Sequence, residues 1–392
     1  MIGSDSTGSG VATCDALIIG GGMAGASCGY FLADGAKVVL LEQEAQPGYH
    51  TTGRSAALFF ESYGNATIRK ITTASRAFLE FPPDGFTELP LLSPRGAITL
   101  ATEALEDSLD TGSGVNQNTA DSSQALVLEG QALLDTCPFI NPDVIVRGLL
   151  EPEAMDMDVH AILHGFLRGM RAKGGRVVTD AEVIALHNTA GVWRVESRAG
   201  VFEAPVVINA AGAWCDTLAG LASVPAVGLI PKRRTAFTFD IQDGIGGTPD
   251  AWPLAVAVDE SWYVKPDAGR MMGSLADETP SPPCDAQPED LDVAIAIDRI
   301  ERHTRFRIPR PASRWAGLRS FVADKSPVVG FDPTTDGFFW LAGQGGYGIQ
   351  TSAGMGRLSA ALVLGKPMPE DMAALGLTLN ELAPDREGLA RG

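Results

Sequence analysis

Residues 14–42, CDALIIGGGMAGASCGYFLADGAKVVLLE, decide how the chain begins to fold. Ala16-Leu-Ile-Ile19 is an apolar run closed by glycines, the pattern of a parallel strand buried on both faces. Gly20, Gly22 and Gly25 follow at G-x-G-x-x-G spacing. In that spacing the first glycine permits a tight turn and the second lets the backbone approach a pyrophosphate. The third lets the next helix pack close to the strand. A helix is predicted from about Met23 to Ala33, its free N–H groups and positive dipole end aimed at the phosphate. Asp34-Gly35 ends it, and Lys37–Leu41 makes the second parallel strand.

The spacing alone would carry little in a chain with 45 glycines. Here it sits between a strand and a helix, and Glu42 closes the second strand 22 residues after Gly20. A carboxylate at that distance accepts both hydroxyls of an adenosine ribose and disfavours a 2′-phosphorylated cofactor. FAD and NAD remain as the dinucleotides this turn would hold.

The chain's 392 residues suffice for two domains with ample core. A net charge of −18 argues against nucleic acid and anionic membrane surfaces as partners. Cys14, Cys28, Cys137, Cys215 and Cys284 form no C-x-x-C pair and are odd in number, which fits a reduced, cytoplasmic setting. No apolar run approaches a membrane span. Residues 1–12, MIGSDSTGSGVA, lack the regions of a signal peptide and read as a disordered lead-in.

Beyond Glu42 the pattern continues as alternating elements. QPGYHTTGRSAALFFESYG, residues 46–64, reads as a loop with backbone donors and then a lid segment, with His50 a surface loop residue. Helical periodicity over 65–81 ends at Pro82-Pro83. Ala97–Ala101 is strand-like, and the acidic, Ser/Thr-rich stretch to about Val127 reads as loop. Asp158 is an N-cap for a helix over 159–172. Hairpin strands follow near 182–186, 192–196 and 201–204. Val206–Trp214 is a buried strand ending in small residues, where a ligand's adenine or ribose can lie against the backbone. Trp315–Phe321 brings an arginine back toward the middle, and strands are predicted at Pro231–Phe239, Ser261–Lys265 and Gly337–Gly343. The last meets a second glycine turn, Gln344–Ser352, and a helix over 353–364.

These pieces together resemble the D-amino-acid oxidase family of FAD enzymes, which includes glycine and sarcosine oxidases. IIGGGMAGAS, HTTGRSAA, NAAGAW and GQGGYGIQTS carry the likeness. Within the family it is strongest to bacterial D-arginine dehydrogenases, through EAQPGYHTTGRSAA, PLLSPR, GLIPKRRTAF, WAGLRSFVAD and GGYGIQTSA. The resemblance implies an α/β fold in which a Rossmann-like FAD-binding domain (1–88, 155–225 and 319–392) is interleaved with a substrate domain on a mixed β-sheet (89–154 and 226–318). It implies oxidation of the Cα–N bond of D-amino acids to imino acids by hydride transfer to flavin N5. The electrons pass on to oxygen or to a quinone-type carrier. Oxidation of secondary amines or glycine derivatives, or service as the flavoprotein subunit of a larger complex, are alternatives. No cysteine follows Cys284, so the C-terminal thioether of some sarcosine oxidases is excluded and non-covalent FAD is expected.

The resemblance also assigns residues. Arg234 alone, in KRRTAF, reads as a solvated strand residue, as Lys232 and Arg233 do. Aligned with Gly317-Leu-Arg319-Ser it becomes, with Arg319, one of two carboxylate-binding arginines, the planar fork suiting a carboxylate. Tyr263 and Tyr63 complete the clamp, Tyr63 from a lid segment. Implied FAD contacts are Gln43, Arg54, Ser55, Ala56, Ala57, Val183, Ala211, Gly212, Trp214, Arg319, Gly345, Gly346, Gly348, Ile349, Gln350 and Thr351, added to Gly20, Gly22, Gly25 and Glu42. Arg54 and Ser55 are assigned to the phosphate and ring region, and Gly345 to Thr351 to the flavin's pyrimidine edge. The substrate pocket is assigned to Leu58, Phe60, Ala97, Leu254, Val256 and Gly346. No metal site is implied. Leu58, Phe60 and Ala97 stand where the relative has histidine, threonine and the glutamate that binds guanidinium. Apolar or uncharged D-amino acids are therefore expected over D-arginine and D-lysine, with Glu61 and Glu88 the acids able to restore cation binding.

Overall fold

The computed structural model describes residues 11–110 and 125–389. Residues 1–10 of the lead-in expected over 1–12, and 111–124 of the Ser/Thr-rich loop, lie outside them; Ala12 instead opens a short strand, Ala12–Thr13, paired with Gly200–Ala204.

The apolar run that opens the chain becomes the strand Ala16–Ile19 at the middle of a six-stranded sheet. In spatial order the strands are Arg176–Val178, Val38–Leu41, Ala16–Ile19, Val206–Asn209, Phe338–Ala342 and Val328–Phe331. The first five run parallel and the last is antiparallel. Parallel pairing requires long crossovers, so the sheet gathers segments far apart in sequence. Alternate residues face opposite layers. Ile18, Leu40, Ile208 and Phe339 pack beneath the helices Met23–Leu32, Val159–Ala172 and Ser352–Val363. Leu17, Val39, Val207 and Trp340 pack against an antiparallel sheet built around 183–204 and the helix Cys215–Leu221. Burial on both faces is why these strands read as unbroken apolar runs.

The second large sheet is mixed. Strands 230–239, 270–274, 263–267, 254–257, 97–102 and 145–151 lie side by side, and 313–321 pairs with 230–239. Leu254–Ala257 and Ala97–Thr102 are parallel while their outer neighbours are antiparallel. A three-stranded sheet of Leu58–Phe59, Met155–Met157 and Leu92–Pro94 was not predicted. Strands of two or three residues are too short to show a period.

Asp158 caps its helix as expected, accepting from the Ala161 N–H at 2.8 Å. Asn65 does the same for Ala66–Glu80 through Ile68 at 3.0 Å.

Candidate active site

The glycine turn makes the floor of a cavity of about 320 Å³ at the carboxyl ends of the parallel strands. Gly20 has φ +113°, and a Cβ there would lie 2.3 Å from the Ala210 carbonyl oxygen. A Cβ on Gly25 would lie 2.0 Å from the Gly20 carbonyl oxygen, so the helix touches the turn backbone to backbone. Gly25 therefore packs behind the cavity, which Gly20 and Gly22 line. Gly22 offers no side-chain cap and the first helical turn holds no acid, so the helix presents its positive end to the cavity. The Met23 N–H donates to Thr52 Oγ1 at 3.1 Å.

Glu42 closes the next strand with 7% exposure and faces the same cavity. Its carboxylate accepts from the Gly21 N–H at 2.8 Å and the Glu44 N–H at 2.9 Å. Burial holds its pKa above the ordinary carboxylate value, against the opposing pull of these two N–H groups and of His50.

Gln43, Ser55, Ala56, Val183, Ala211, Gly212, Trp214, Arg319, Gly345, Gly346, Gly348 and Ile349 all line the cavity, and Ala57 lines the pocket that adjoins it. Two expected side-chain contacts differ. Gln350 and Thr351, 3% and 1% exposed, turn away from the cavity. Gln350 Nε2 donates to Thr72 Oγ1 at 2.9 Å and Thr351 Oγ1 to the Tyr347 carbonyl at 2.8 Å. They tie the glycine turn to the helices beneath, and Gly345, Gly346 and Gly348 are left to meet a ligand. Arg54 lines the cavity, while its guanidinium bonds Asp285 at 2.5 Å and the Ala286 and Ala316 carbonyls at 2.9 and 2.8 Å. These bonds clamp the loop to the strand Ser313–Phe321. His50, read as a surface residue, lines the cavity, bonds Glu44 at 2.9 Å and packs its ring 4.7 Å from that of Trp214.

The far end of the cavity is roofed by one face of the mixed sheet. Arg234 pairs with Gly317 and Lys232 with Arg319, so the two arginines are diagonal neighbours projecting from the same face. Arg234 is 9% exposed, its Nε donating to the Asp277 carbonyl at 2.8 Å and its Nη2 3.6 Å from Glu278. Burial, then the positive charge of Arg319, lowers its pKa. Around Arg319, burial opposes the charge, but Tyr63, Tyr263 and Tyr347 outweigh it and raise the pKa. Tyr63 stacks on Phe60 at 4.9 Å and meets the edge of Tyr347 at 4.8 Å. Two guanidiniums side by side among phenols form a receptor for an anion. Lys232 and Arg233 pair with acids outside the cavity, Glu278 for the first, Glu289 and Asp292 for the second.

A smaller pocket of about 80 Å³ continues from the arginines. Leu58, Phe60, Ala97, Leu254, Val256 and Gly346 line it with Tyr63 and Tyr263. Thr99, Glu151, Glu260 and Ala276 also line it and were missed, as was Tyr347 beside Arg319. Glu61 is held by Arg76 at 2.6 Å and Glu88 is exposed, so neither acid named from the sequence reaches the pocket. Among the described residues no group of three or more metal-ligating side chains occurs, and no helix is long and apolar enough to cross a membrane.

Residues 15–362 match the family model for DAO, the FAD dependent oxidoreductases, and the chain belongs to that family. It is 24% identical to glycine oxidase of Bacillus licheniformis over 90% of this chain and 94% of that one. Its fold matches dithionite-reduced L-α-glycerophosphate oxidase from Mycoplasma pneumoniae with FAD bound (TM-score 0.79, 18% identity, 90% of this chain and 95% of that one). It also matches iminodiacetate oxidase from Chelativorans sp. BNC1 (TM-score 0.79, 20% identity, 94% and 98%). The protein is an FAD-dependent oxidoreductase with the family's α/β fold. The bare glycine turn, the uncapped helix end and buried Glu42 fit the cofactor's pyrophosphate and ribose.

Proposed function

We propose that the protein oxidises the Cα–N bond of a carboxylate-bearing amine, and that its substrates are D-amino acids. The observation that carries this reading is the pair Arg234 and Arg319, set side by side among tyrosines where the cofactor cavity meets the smaller pocket. FAD, when bound, supplies the hydride acceptor. Arg234 and Arg319 would hold the carboxylate, and Tyr63 and Tyr263 would fix its orientation. Tyr63 and Phe60 would cover the site and exclude water. Leu58 offers no base for the amine proton, which is left to solvent. A second reading, oxidation of a secondary amine or glycine derivative on the same clamp, is supported by the glycine oxidase and iminodiacetate oxidase relatives. Anaerobic flavin bleaching across D- and L-amino acids, sarcosine and iminodiacetate separates them. Bleaching by glycine derivatives alone would remove the first reading. We also propose the interleaved domains of 1–88, 155–225 and 319–392 against 89–154 and 226–318.

FAD is proposed to be non-covalent. Among the described residues, no cysteine lines the cavity, and burial pushes the thiols of Cys14 and Cys28 up to about 11 and about 12. Acid precipitation should leave the yellow colour in the supernatant. Flavin fluorescence retained on the denatured polypeptide band would overturn this.

Glu42 gives FAD binding a pH dependence. Its pKa is raised by burial in the ligand-free protein, and only the ionised carboxylate accepts from both ribose hydroxyls. Below that raised pKa binding releases a proton, so affinity should rise with pH up to it and then level off. Fluorescence titration of apoprotein with FAD should show this slope, and Glu42→Gln should abolish it.

A further inference from the structure

Ala97 has two partners in the mixed sheet, Leu254 across the parallel pair and Glu151 across the antiparallel pair. Residues directly opposite project from the same face with Cβ atoms about 4.5–5.5 Å apart. Glu151 accordingly lines the substrate pocket, 8% exposed, and the Ser62 hydroxyl donates to its Oε2. The strand of Glu151 lies three strand spacings from that of Tyr263, about 14 Å. The acid and the arginines with Tyr263 therefore stand at different ends of one pocket, and Tyr63, bonded to Arg319 and packed on Phe60 and Ala97, lies between them. Leu58, Phe60, Ala97 and Leu254 supply apolar wall to this pocket, whose other polar members outside the clamp include Thr99 and Glu260.

We propose that Glu151 is a specificity-determining residue, receiving the cationic head of a basic amino-acid substrate in the space that Ala97 leaves. The proposal rests on the reading of Arg234 and Arg319 as the carboxylate clamp. Its physical basis is that a carboxylate ending an apolar passage favours a cation over a neutral group. A lysine- or arginine-like side chain matches both parts, its methylene stem against the walls and its charged head at the acid. Two carboxylates directly opposite would repel, so position 97 and position 151 accommodate one acid between them. Glu151, one strand over from Ala97, then reverses the preference expected from Ala97 alone.

The test compares near-isosteric pairs, arginine against citrulline and lysine against norleucine, in the enantiomer that bleaches the flavin. Holoenzyme should favour the charged member of each pair in kcat/KM. Glu151→Gln should lower that ratio by at least about tenfold, the scale of a charged hydrogen bond. Ser62→Ala, which removes the same hydrogen bond from the other side, should keep the ratio. A binding readout needs no turnover: 5-guanidinopentanoate should raise the melting temperature of holoenzyme more than hexanoate does, and Glu151→Gln should erase the difference. Equal loss for both members of each pair, or a holoenzyme preference for citrulline and norleucine, would overturn the proposal and leave Glu151 as a latch for the 60–64 segment. If no carboxylate-bearing amine bleaches the flavin, glycine and sarcosine included, the clamp reading itself fails.

Discussion

Arg319→Met and Arg234→Met should each lower kcat/KM for a carboxylate-bearing amine by about 10²- to 10³-fold, or ~3–4 kcal/mol. Each guanidinium is fixed before any ligand arrives. Arg234 is anchored by the Asp277 carbonyl, while Asp277 is itself held by the Thr235 N–H at 2.7 Å. Arg319 is enclosed by Tyr63, Tyr263 and Tyr347. Methionine keeps the volume of either side chain and removes the charge, so the loss reports the anion site rather than a collapsed cavity. Arg319→Lys should recover only part of the loss, since an ammonium cannot make the planar double contact. The substrate's methyl ester should be far less sensitive to either substitution. Anaerobic reduction rates for acid and ester settle the point, and equal effects on both would remove the arginines from carboxylate recognition.

Those arginines also show where the sequence is informative. Arg234 lies in a strand that pattern alone located, Ile230–Phe239, whereas the strand of Arg319, Ser313–Phe321, was not read as one. Nothing local distinguishes Arg234 from Arg233, one facing the cavity and the other bonded to Glu289 and Asp292. The period-2 alternation says only that they face opposite ways, and the family motif was needed to say which way is inward. The parallel strands were legible because burial on both faces leaves a continuous apolar run. The glycine turn was legible because close backbone contacts at Gly20 and Gly25, with Gly22 lining the cavity between them, place glycines at set spacings.

Glu151 was not legible for a different reason. Its partnership with Ala97 is a register relation between strands 97–102 and 145–151, with the undescribed stretch 111–124 between them in sequence. No periodicity within either strand contains that register. Gln350 and Thr351 were misread in a similar way. A polar residue beside a glycine turn looks like a ligand contact, but at a helix start it serves equally to bond inward. His50 looked like a loop residue because its acid partners Glu44 and Asp285 are brought together only by folding.

Gly22→Val and Gly25→Val should each abolish FAD retention, yet by routes that apoprotein stability tells apart. A Cβ on Gly22 meets nothing closer than Thr52 Oγ1 at 3.3 Å, and it points into the cavity's phosphate end. Valine there occludes the place of the pyrophosphate while leaving strand and helix in contact. Affinity for FAD should fall at least about 100-fold, the cost of losing close backbone approach to a charged group, with the apoprotein's melting temperature almost unchanged. A Cβ on Gly25 lies 2.0 Å from the Gly20 carbonyl oxygen and 3.1 Å from Ile18 Cγ2. Neither neighbour can yield easily, because Gly20 already sits at φ +113° against the Ala210 backbone. The helix Met23–Leu32 must lift off the sheet, which overpacks the core at a cost of about 1–3 kcal/mol or more. That variant should lose FAD and also melt several degrees lower as apoprotein. Calorimetry of both apoproteins, followed by FAD titration, separates a blocked site from a displaced helix. Normal FAD occupancy in Gly22→Val would mean that the cofactor's phosphates do not approach this turn, and the reading of residues 14–42 from which the fold was built would have to be abandoned.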